Sequence, residues 1–315
     1  MRKVLTIVIA ILVLVGCNRP KPIDGPRRIG FASLMPRAIV EDLEDLQQQE
    51  IRLFGSFDIN GKTANLFNAE RLYYDSELPG WNYDNTQFWI KGAQYRFSAI
   101  CPYMVEGTYS DADGRVTIEG YVGSSDSPDL MYATSERDLA AAEDYSVVPF
   151  NFHHACASVQ FNIVNASNAP LLQVRNLRLV GLQNRGNFTF DTAGNAEWEL
   201  DGTTETGDAY AGTCVLPDGG LPVNLNVQHP LYENGALLVL PQSVYKTGIT
   251  LHLEYLMANS DGVYNIRDIE LGWSGGAAPT EWKAGVKYVY TMTITENTAT
   301  LNVMVVDWVD HYVDL

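Results

Sequence analysis

The segment ITLHLEYLM, residues 249–257, carries an apolar side chain at every second position. Side chains on a β-strand point alternately to the two faces of the sheet, so all the residues in this series lie on one face. That face consists of Ile249, Leu251, Leu253, Tyr255 and Met257. The segment therefore predicts a β-strand that is buried on one side.

Similar alternating runs recur along the chain, for example SVQFNIVN at 158–165 and YVYTMTITE at 288–296. Clusters of turn-forming residues, such as SDADG, DTAGN and NSDG, separate these runs. Short strands with this punctuation are typical of antiparallel β-sandwiches. We therefore predict an all-β fold for the 315 residues.

The length of the chain is sufficient for two domains of ordinary size. We predict an N-terminal β-sandwich domain over 38–148 and a C-terminal one over 149–299. Helix signals are scarce: only EDLEDLQQQE at 41–50 and SERDLAAAED at 135–144 have the composition of short helices. Either segment could instead be an irregular linker, and the second leads into the predicted domain boundary.

The first 17 residues, MRKVLTIVIAILVLVGC, have the features of an exported lipoprotein's signal peptide. A positively charged start precedes an apolar run that is shorter than the roughly 20 residues of a permanent membrane helix. The run ends in Leu-Val-Gly-Cys, which resembles a bacterial lipobox, and Cys17 is then the residue that receives the lipid. Acyl chains on Cys17 would anchor the protein to a membrane surface without spanning it.

Charge divides the sequence at residue 37. The chain has 21 basic and 38 acidic residues, and 1–37 contain seven of the basic residues and one of the acidic ones. The remainder holds 14 basic and 37 acidic residues, which is a formal charge of −23. So acidic a body argues against nucleic acid or anionic lipid as its binding partner.

The charge step coincides with the stretch FASLMPRAIVEDL, residues 31–43. A short apolar run, RIGFASLM at 28–35, has the pattern of a strand and stops just before Arg37. This junction is either a linker or a place where the chain is cut. In the second case residues 18–37 would be a propeptide with a temporary strand, released by cleavage between Arg37 and Ala38.

The C-terminus, TLNVMVVDWVDHYVDL, keeps a β-alternation to its final residue, whereas most domains finish with polar, frayed residues. Residues 300–306 are compatible with a last strand of the protein's own sheet, but the remainder would then be a short hydrophobic overhang that needs an explanation. We predict that 300–315 is a donor region which completes the sheet of a neighbouring subunit. Five or six apolar side chains at about 1.5–3 kcal/mol each would contribute roughly 10 kcal/mol before ordering costs. The predicted donor residues are Leu301, Val303, Val305, Trp308, Val309, Val313 and Leu315.

The sequence has no Gly-x-Ser-x-Gly elbow, no Gly-rich phosphate loop and no His-Glu-x-x-His motif, and we predict neither enzymatic activity nor a cofactor. A carboxylate pair of the glycosidase type stays open as a background alternative, because Asp and Glu are abundant and the sequence singles out no pair. HHAC at 153–156 is the nearest approach to a metal cluster. Adjacent residues of a strand point to opposite faces, so His153 and His154 favour a structural role. SDADGR at 110–115 begins like a calcium loop but lacks the later ligands, which favours a hairpin turn.

Four aromatic residues lie close together in the sequence and suit either of two roles. Exposed rings stack on sugars, whereas buried rings more often fill the core of a sandwich. The four residues are Trp81, Tyr83, Trp89 and Tyr95.

These features together resemble the fimbrillin-type lipoproteins, the subunits of type V pili of Bacteroidales-like bacteria. The similarity rests on the lipobox at Cys17, the Arg37-Ala38 junction, the strand IRLFGSF that follows it, and VPFNFHHACASVQFNI. LLVLPQ, WKAGVKYVYTMTI and the terminal VVDW resemble signatures of the family's C-terminal domain. The resemblance implies two tandem transthyretin-like antiparallel β-sandwich domains, no enzymatic activity, and an Arg-specific protease that cuts after Arg37.

The first functional hypothesis is a structural subunit of a surface pilus that supports cell adhesion. Its lipoprotein precursor would reside at the outer membrane, and the processed form would polymerise with other subunits into an extracellular fimbrium. The alternative is a non-polymerising lipoprotein that binds glycans, or an anchor or tip accessory subunit. The sequence leaves open the choice between stalk, tip and anchor, the host or bacterial receptor, and the disulfide state of Cys101, Cys156 and Cys214.

Overall fold

A computed structural model of the chain describes residues 25–34, 47–77, 80–272, 279–296 and 298–308. Apart from the single helical residue Gln47, the secondary-structure elements within these ranges are all β-strands, which confirms the predicted fold class. The strands up to residue 154 are β1 (Phe31–Leu34), β2 (Ile51–Ile59), β3 (Lys62–Asp75), β4 (Gly80–Asn82), β5 (Gln94–Cys101), β6 (Thr108–Ser110), β7 (Arg115–Val122), β8 (Met131–Asp138), β9 (Val148–Asn151) and β10 (His153–His154).

The remaining strands follow in the C-terminal half of the chain. They are β11 (Ala157–Asn165), β12 (Leu171–Val180), β13 (Arg185–Phe190), β14 (Ala196–Leu200), β15 (Ala211–Gly212), β16 (His229–Pro230), β17 (Ala236–Val239), β18 (Gln242–Ser243), β19 (Thr250–Met257), β20 (Tyr264–Glu270), β21 (Glu281–Trp282), β22 (Val286–Ile294) and β23 (Ala299–Asp307).

The C-terminal half is a β-sandwich. One sheet has the strand order β16-β11-β22-β23, with β17 paired to β11, and the other has the order β15-β12-β19-β20. Apolar side chains of both sheets meet in one core, for example Phe161 and Tyr290 of the first with Leu179 and Leu251 of the second. The alternation seen at 249–257 is present in β19, where the apolar series is buried and the residues between are more exposed.

The N-terminal half is dominated by an eight-stranded sheet with the order β10-β8-β5-β2-β3-β4-β1-β9. Side chains from strands far apart in this order share one core, including Phe31 of β1, Leu53 of β2, Phe97 of β5 and Phe150 of β9. The sheet therefore curls around its own apolar face. Its strands pair in antiparallel fashion except for β1 and β9, which run parallel, as do β11 and β22 in the other half.

A further sheet joins the two halves. It has the order β14-β13-β7-β6, so that a strand from the C-terminal half pairs with a strand from the N-terminal half. The eight-stranded sheet also continues through β10, beyond the predicted boundary near residue 148. The domain limits 38–148 and 149–299 thus stay a prediction.

The helix expected over 135–144 is wrong. Residues 131–138 form β8, which pairs with β5 along its whole length, and a turn follows. Burial of Met131 and Ala133 against the core outweighs the local helix preference of the polar residues behind them. The other helix candidate, 41–50, lies mostly outside the described residues.

Candidate functional site

Strand β1, which precedes the predicted cleavage junction, occupies an internal position in the eight-stranded sheet. It runs parallel to β9, with Phe31 opposite Val148 and Leu34 opposite Asn151. On its other side Phe31 pairs with Trp81 of β4 in antiparallel orientation. The strand thus fills the space between β4 and β9.

Backbone hydrogen bonds hold the residues just before β1 as well. The amide of Ile29 donates to the carbonyl of Gln87, and the amide of Trp89 donates to the carbonyl of Arg27, both at 2.9 Å. Buried peptide groups need such partners because an unpaired one costs about as much as a lost hydrogen bond. If the segment 27–34 departed, Gln87 and Trp89 would both lose these bonds.

Phe31 is the centre of an aromatic cluster in the N-terminal core. Its side chain is 5% exposed. The ring of Phe150 lies parallel to it at a centroid distance of 5.5 Å and an interplanar angle of 4°. Three further rings meet it edge-on at centroid distances of 5.5–5.8 Å: Phe67, Tyr83 and Phe97.

Ile29 is a second residue through which the body of the protein holds this segment, by contact with Tyr83. Ile29 is completely buried, and the hydroxyl of Tyr83 donates a 2.7 Å hydrogen bond to its carbonyl. Burial raises the pKa of Tyr83, so the phenol keeps the proton that this bond uses.

The stabilisation from this segment is concentrated in two side chains. Burial of an isoleucine or phenylalanine side chain contributes about 1.5–3 kcal/mol. Each well-placed aromatic pair adds about 0.5–1.5 kcal/mol beyond its area. Loss of Ile29 and Phe31 would therefore leave a deep apolar groove between β4 and β9.

The arginines of this segment also contact the body of the protein. The guanidinium of Arg27 lies over the ring of Tyr145 at 4.7 Å from the centroid, and that of Arg28 lies over Tyr83 at 4.6 Å. Arg28 also donates to the side-chain carbonyl of Asn82 at 3.2 Å. Such cation–π contacts at partly exposed sites contribute about 0.5–1 kcal/mol each.

The predicted donor residues that the structure describes lie in or next to β23. This strand pairs with β22 of its own sheet over nine residue pairs, from Ala299 opposite Ile294 to Asp307 opposite Val286. Of the predicted donors, Leu301 and Trp308 are buried, Val303 is partly buried, and Val305 is half-exposed. Cys17, Arg37, Ala38, Val309, Val313 and Leu315 lie outside the described residues.

One buried polar pair was missed by the sequence reasoning. His154 contacts the carboxylate of Asp129, 25 residues away, with 3.0 Å between Nδ1 and Oδ1. The ring of His154 stacks on Trp308. No sequence signal pointed to Asp129, because only the pairing of β10 with β8 brings the two residues together.

The other motifs have structural roles. His153 is exposed and His154 is buried, as expected for residues on opposite faces, and residues 111–114 form the turn between β6 and β7. The four aromatic residues proposed for a sugar platform or a core are all buried. The cysteines at 101, 156 and 214 are free thiols.

The described residues contain neither a cluster of metal ligands nor a candidate membrane helix. No group of three or more His, Cys, Asp or Glu side chains in the described ranges converges as metal ligands would. In the same part of the chain, no helix has the length and apolar character needed to cross a bilayer.

A fimbrillin-like family model matches residues 37–308 of the sequence. The chain therefore belongs to the fimbrillin-like family. No protein of curated function matches it.

Among the solved structures that share its fold are three Bacteroides proteins. A fimbrial protein from Bacteroides vulgatus ATCC 8482 is 18% identical, with 90% of this chain and 99% of that chain covered and a TM-score of 0.62. Two structures named "putative cell adhesion protein" come from Bacteroides uniformis ATCC 8492 and Bacteroides ovatus ATCC 8483. The first is 18% identical, covers 91% and 100% of the two chains, and has a TM-score of 0.53. The second is 14% identical, covers 91% and 99%, and has a TM-score of 0.57.

Proposed function

We propose that this chain is a structural subunit of a surface pilus, assembled by exchange of strands between subunits. It is exported as a lipoprotein with the lipid on Cys17 and reaches the outer membrane as a precursor. An Arg-specific protease cuts between Arg37 and Ala38, and the segment that contains β1 departs. The C-terminal region of another subunit then occupies the groove, and the resulting fimbrium supports cell adhesion without enzymatic activity.

The position of β1 is the observation that carries this proposal. An internal strand that lies immediately before a basic junction, and whose departure exposes an apolar groove with two unpaired edges, suits a removable cover. An open groove of this kind binds an extended segment through backbone hydrogen bonds and side chains at alternate positions. Membership of the fimbrillin-like family supports the same reading, and the family match begins at Arg37.

Proteolytic processing is tested with Arg37→Lys, which keeps the charge and removes the arginine that the protease requires. We expect the wild-type protein at the cell surface to begin at Ala38 and the variant to keep its lipidated Cys17 and to remain unassembled. Arg27→Lys is the matched control, because a cut at residue 27 would leave β1 in place. Normal pili from the Arg37→Lys protein would contradict the proposed cut.

The donor role is tested by deletion of residues 309–315. After protease treatment, the full-length protein should form ladders of polymers that resist SDS, whereas the truncated protein should stay a folded monomer with an unchanged β-sheet circular dichroism spectrum. Polymers from the truncated protein would show that the tail is not the donor.

The same measurements separate the stalk subunit from the other candidates. An anchor subunit or a glycan-binding lipoprotein would keep Cys17 as its first residue on the cell surface. Burial of Trp81, Tyr83, Trp89 and Tyr95 leaves these rings unavailable as a sugar platform, so the polymerising subunit is the function we favour.

A further inference from the structure

We infer that Trp308 is an anchor that stays with its own subunit, so that the segment passed to a neighbour begins only at Val309. The inference rests on the proposed strand exchange. It narrows the donor from 300–315 to 309–315 and assigns the residues before it to the subunit's own fold.

The side chain of Trp308 is stacked and buried. It is 6% exposed, and its indole lies flat on the imidazole of His154, with 3.9 Å between centroids and 6° between planes. Parallel contact between two rings in a buried site excludes water from the two facing ring surfaces and restricts rotation of either ring. The stack therefore fixes the point at which the chain leaves β23.

The imidazole is itself held in place. Its Nδ1 lies 3.0 Å from Oδ1 and 2.9 Å from Oδ2 of Asp129, and the side chains of His154 and Asp129 are both almost fully buried. The backbone is fixed too, because β10 pairs with β8 and the amide of Ala155 donates to the carbonyl of Leu130 at 2.8 Å. Because Asp129 fixes the Nδ1 edge of the imidazole and strand pairing fixes the backbone, the ring of His154 presents a rigid face to Trp308.

Trp308 also packs into a core that the two halves of the chain share. Side chains from both halves line this core, among them Phe54, Ile100, Phe188, Leu238 and Leu240. If Trp308 followed the tail into a neighbouring subunit, it would leave a cavity where the halves meet. Such a loss opposes its departure.

The residues before the tail are all held within their own subunit. Pairing with β22 holds residues 299–307, and the stack on His154 holds Trp308. The segment that is free to enter a neighbour therefore begins after Trp308.

The test uses two forms of the chain, a donor and an acceptor, which can combine into a 1:1 complex but cannot polymerise further. The donor form carries Arg37→Lys, so its own groove stays closed while its tail is intact. The acceptor form lacks 309–315 and is opened with an Arg-specific protease, which is then removed. Formation and dissociation of the 1:1 complex are followed by SDS-resistant band intensity with His154→Ala placed in the donor, in the acceptor, or in neither.

Comparing His154→Ala in the donor with His154→Ala in the acceptor shows which chain's histidine supports Trp308. Any effect of the substitution on folding is the same in both forms. As an anchor, Trp308 needs the histidine of its own chain, so the donor variant should give a complex that dissociates about tenfold faster. This corresponds to ordering roughly one more residue on binding. The acceptor variant should lie within about twofold of the unsubstituted pair.

Other results overturn the inference. If Trp308 leaves its stack during exchange, His154→Ala in the donor releases it, and the complex forms faster or with unchanged stability. Weakening only by the acceptor variant would also contradict an anchor in the donor. Failure of the unsubstituted pair to form any complex would instead overturn strand exchange itself, and the inference with it.

Hydrogen exchange on the unsubstituted donor supplies a measurement that needs no variant at position 154. Peptides covering 299–308 should keep the same protection in the free donor and in the complex, and only those covering 309–315 should gain protection. Loss of protection over 299–308 on complex formation would show that β23 and Trp308 leave their own sheet.

Discussion

Strands β1 and β23 both contain few charged and many apolar residues, but they differ in length and in how they pair with neighbouring strands. β1 has four residues and lies between two strands, with Phe31 inside an aromatic cluster. β23 has nine residues and pairs only with β22. In the described part of the chain it is an edge strand, and Met304 on it is 59% exposed.

The difference separates the two roles that strand exchange requires. A short strand in an internal position forms few backbone bonds, and its removal opens two edges at once. A long strand at the edge loses nine residue pairs if it leaves and opens only one edge. Under the proposed strand exchange, β1 would therefore be the strand that is replaced, and β23 the permanent strand that carries the tail.

The largest effect is expected at the centre of the β1 contacts. Phe31→Ala in the full-length precursor should lower the free energy of unfolding by about 3–5 kcal/mol, because it deletes a buried ring and leaves a cavity among four others. Urea unfolding followed by circular dichroism measures the loss. The matched control is Phe88→Ala, at a half-exposed ring, where we expect less than about 1 kcal/mol. Equal losses at the two positions would mean that β1 is not an important part of the core.

A smaller effect is expected on β23, where one face is buried and the other is not. Leu301→Ala should cost about 2–3 kcal/mol, since Leu301 is buried at the edge of the C-terminal core. Met304→Ala, three residues further along, should change the unfolding free energy by less than about 0.5 kcal/mol. A large loss from Met304→Ala would indicate that a partner covers this face of β23.

The strands themselves were predictable from period-two alternation, because the sequence records which side chains face a core. Residues 251–257 and 286–294 show it most clearly, with buried and more exposed side chains in turn. Pairing was not predictable, because alternation says nothing about a strand's neighbour. The parallel contact of β1 with β9 and the contact of β7 with β13 join residues far apart in the sequence.

The candidate site was predictable in part for the same reason. The apolar run at 28–35 and the basic junction after it are local features, and they indicated a strand that precedes a cut. The aromatic cluster around Phe31 is not local, since its members come from β3, β5 and β9 and from the loop after β4. The stacking of Trp308 on His154 could not be predicted either, because nothing in the local sequence VVDW points to His154.

The hydrogen bond to β1 should have a measurable but modest effect. Tyr83→Phe removes the hydroxyl that donates to the carbonyl of Ile29 and keeps the ring against Phe31. We expect a loss of about 1 kcal/mol in the free energy of unfolding. Tyr245→Phe, at a partly exposed tyrosine, is the control and should be neutral within about 0.5 kcal/mol. A neutral Tyr83→Phe would mean that this hydrogen bond does not stabilise the segment.

The last prediction concerns thiol reactivity and uses two cysteines as reporters. Cys101 shares the core cluster of Phe31, and burial raises its pKa to about 12. Cys214 packs against the C-terminal core, and burial raises its pKa to about 11. A raised thiol pKa lowers the thiolate fraction, so at pH 8 only about one Cys101 side chain in 10⁴ is reactive.

Departure of the segment that contains β1 should remove part of the burial around Cys101 and none of that around Cys214. We therefore expect cleavage after Arg37 to accelerate alkylation of Cys101 by iodoacetamide at pH 8, as followed by mass spectrometry, while Cys214 keeps its rate. In the uncleaved precursor the Cys101 rate should rise about tenfold per pH unit from pH 8 towards pH 11, since only the thiolate reacts. Equal acceleration of both thiols would indicate general loosening of the fold, which would remove the distinction between a replaceable β1 and a permanent β23.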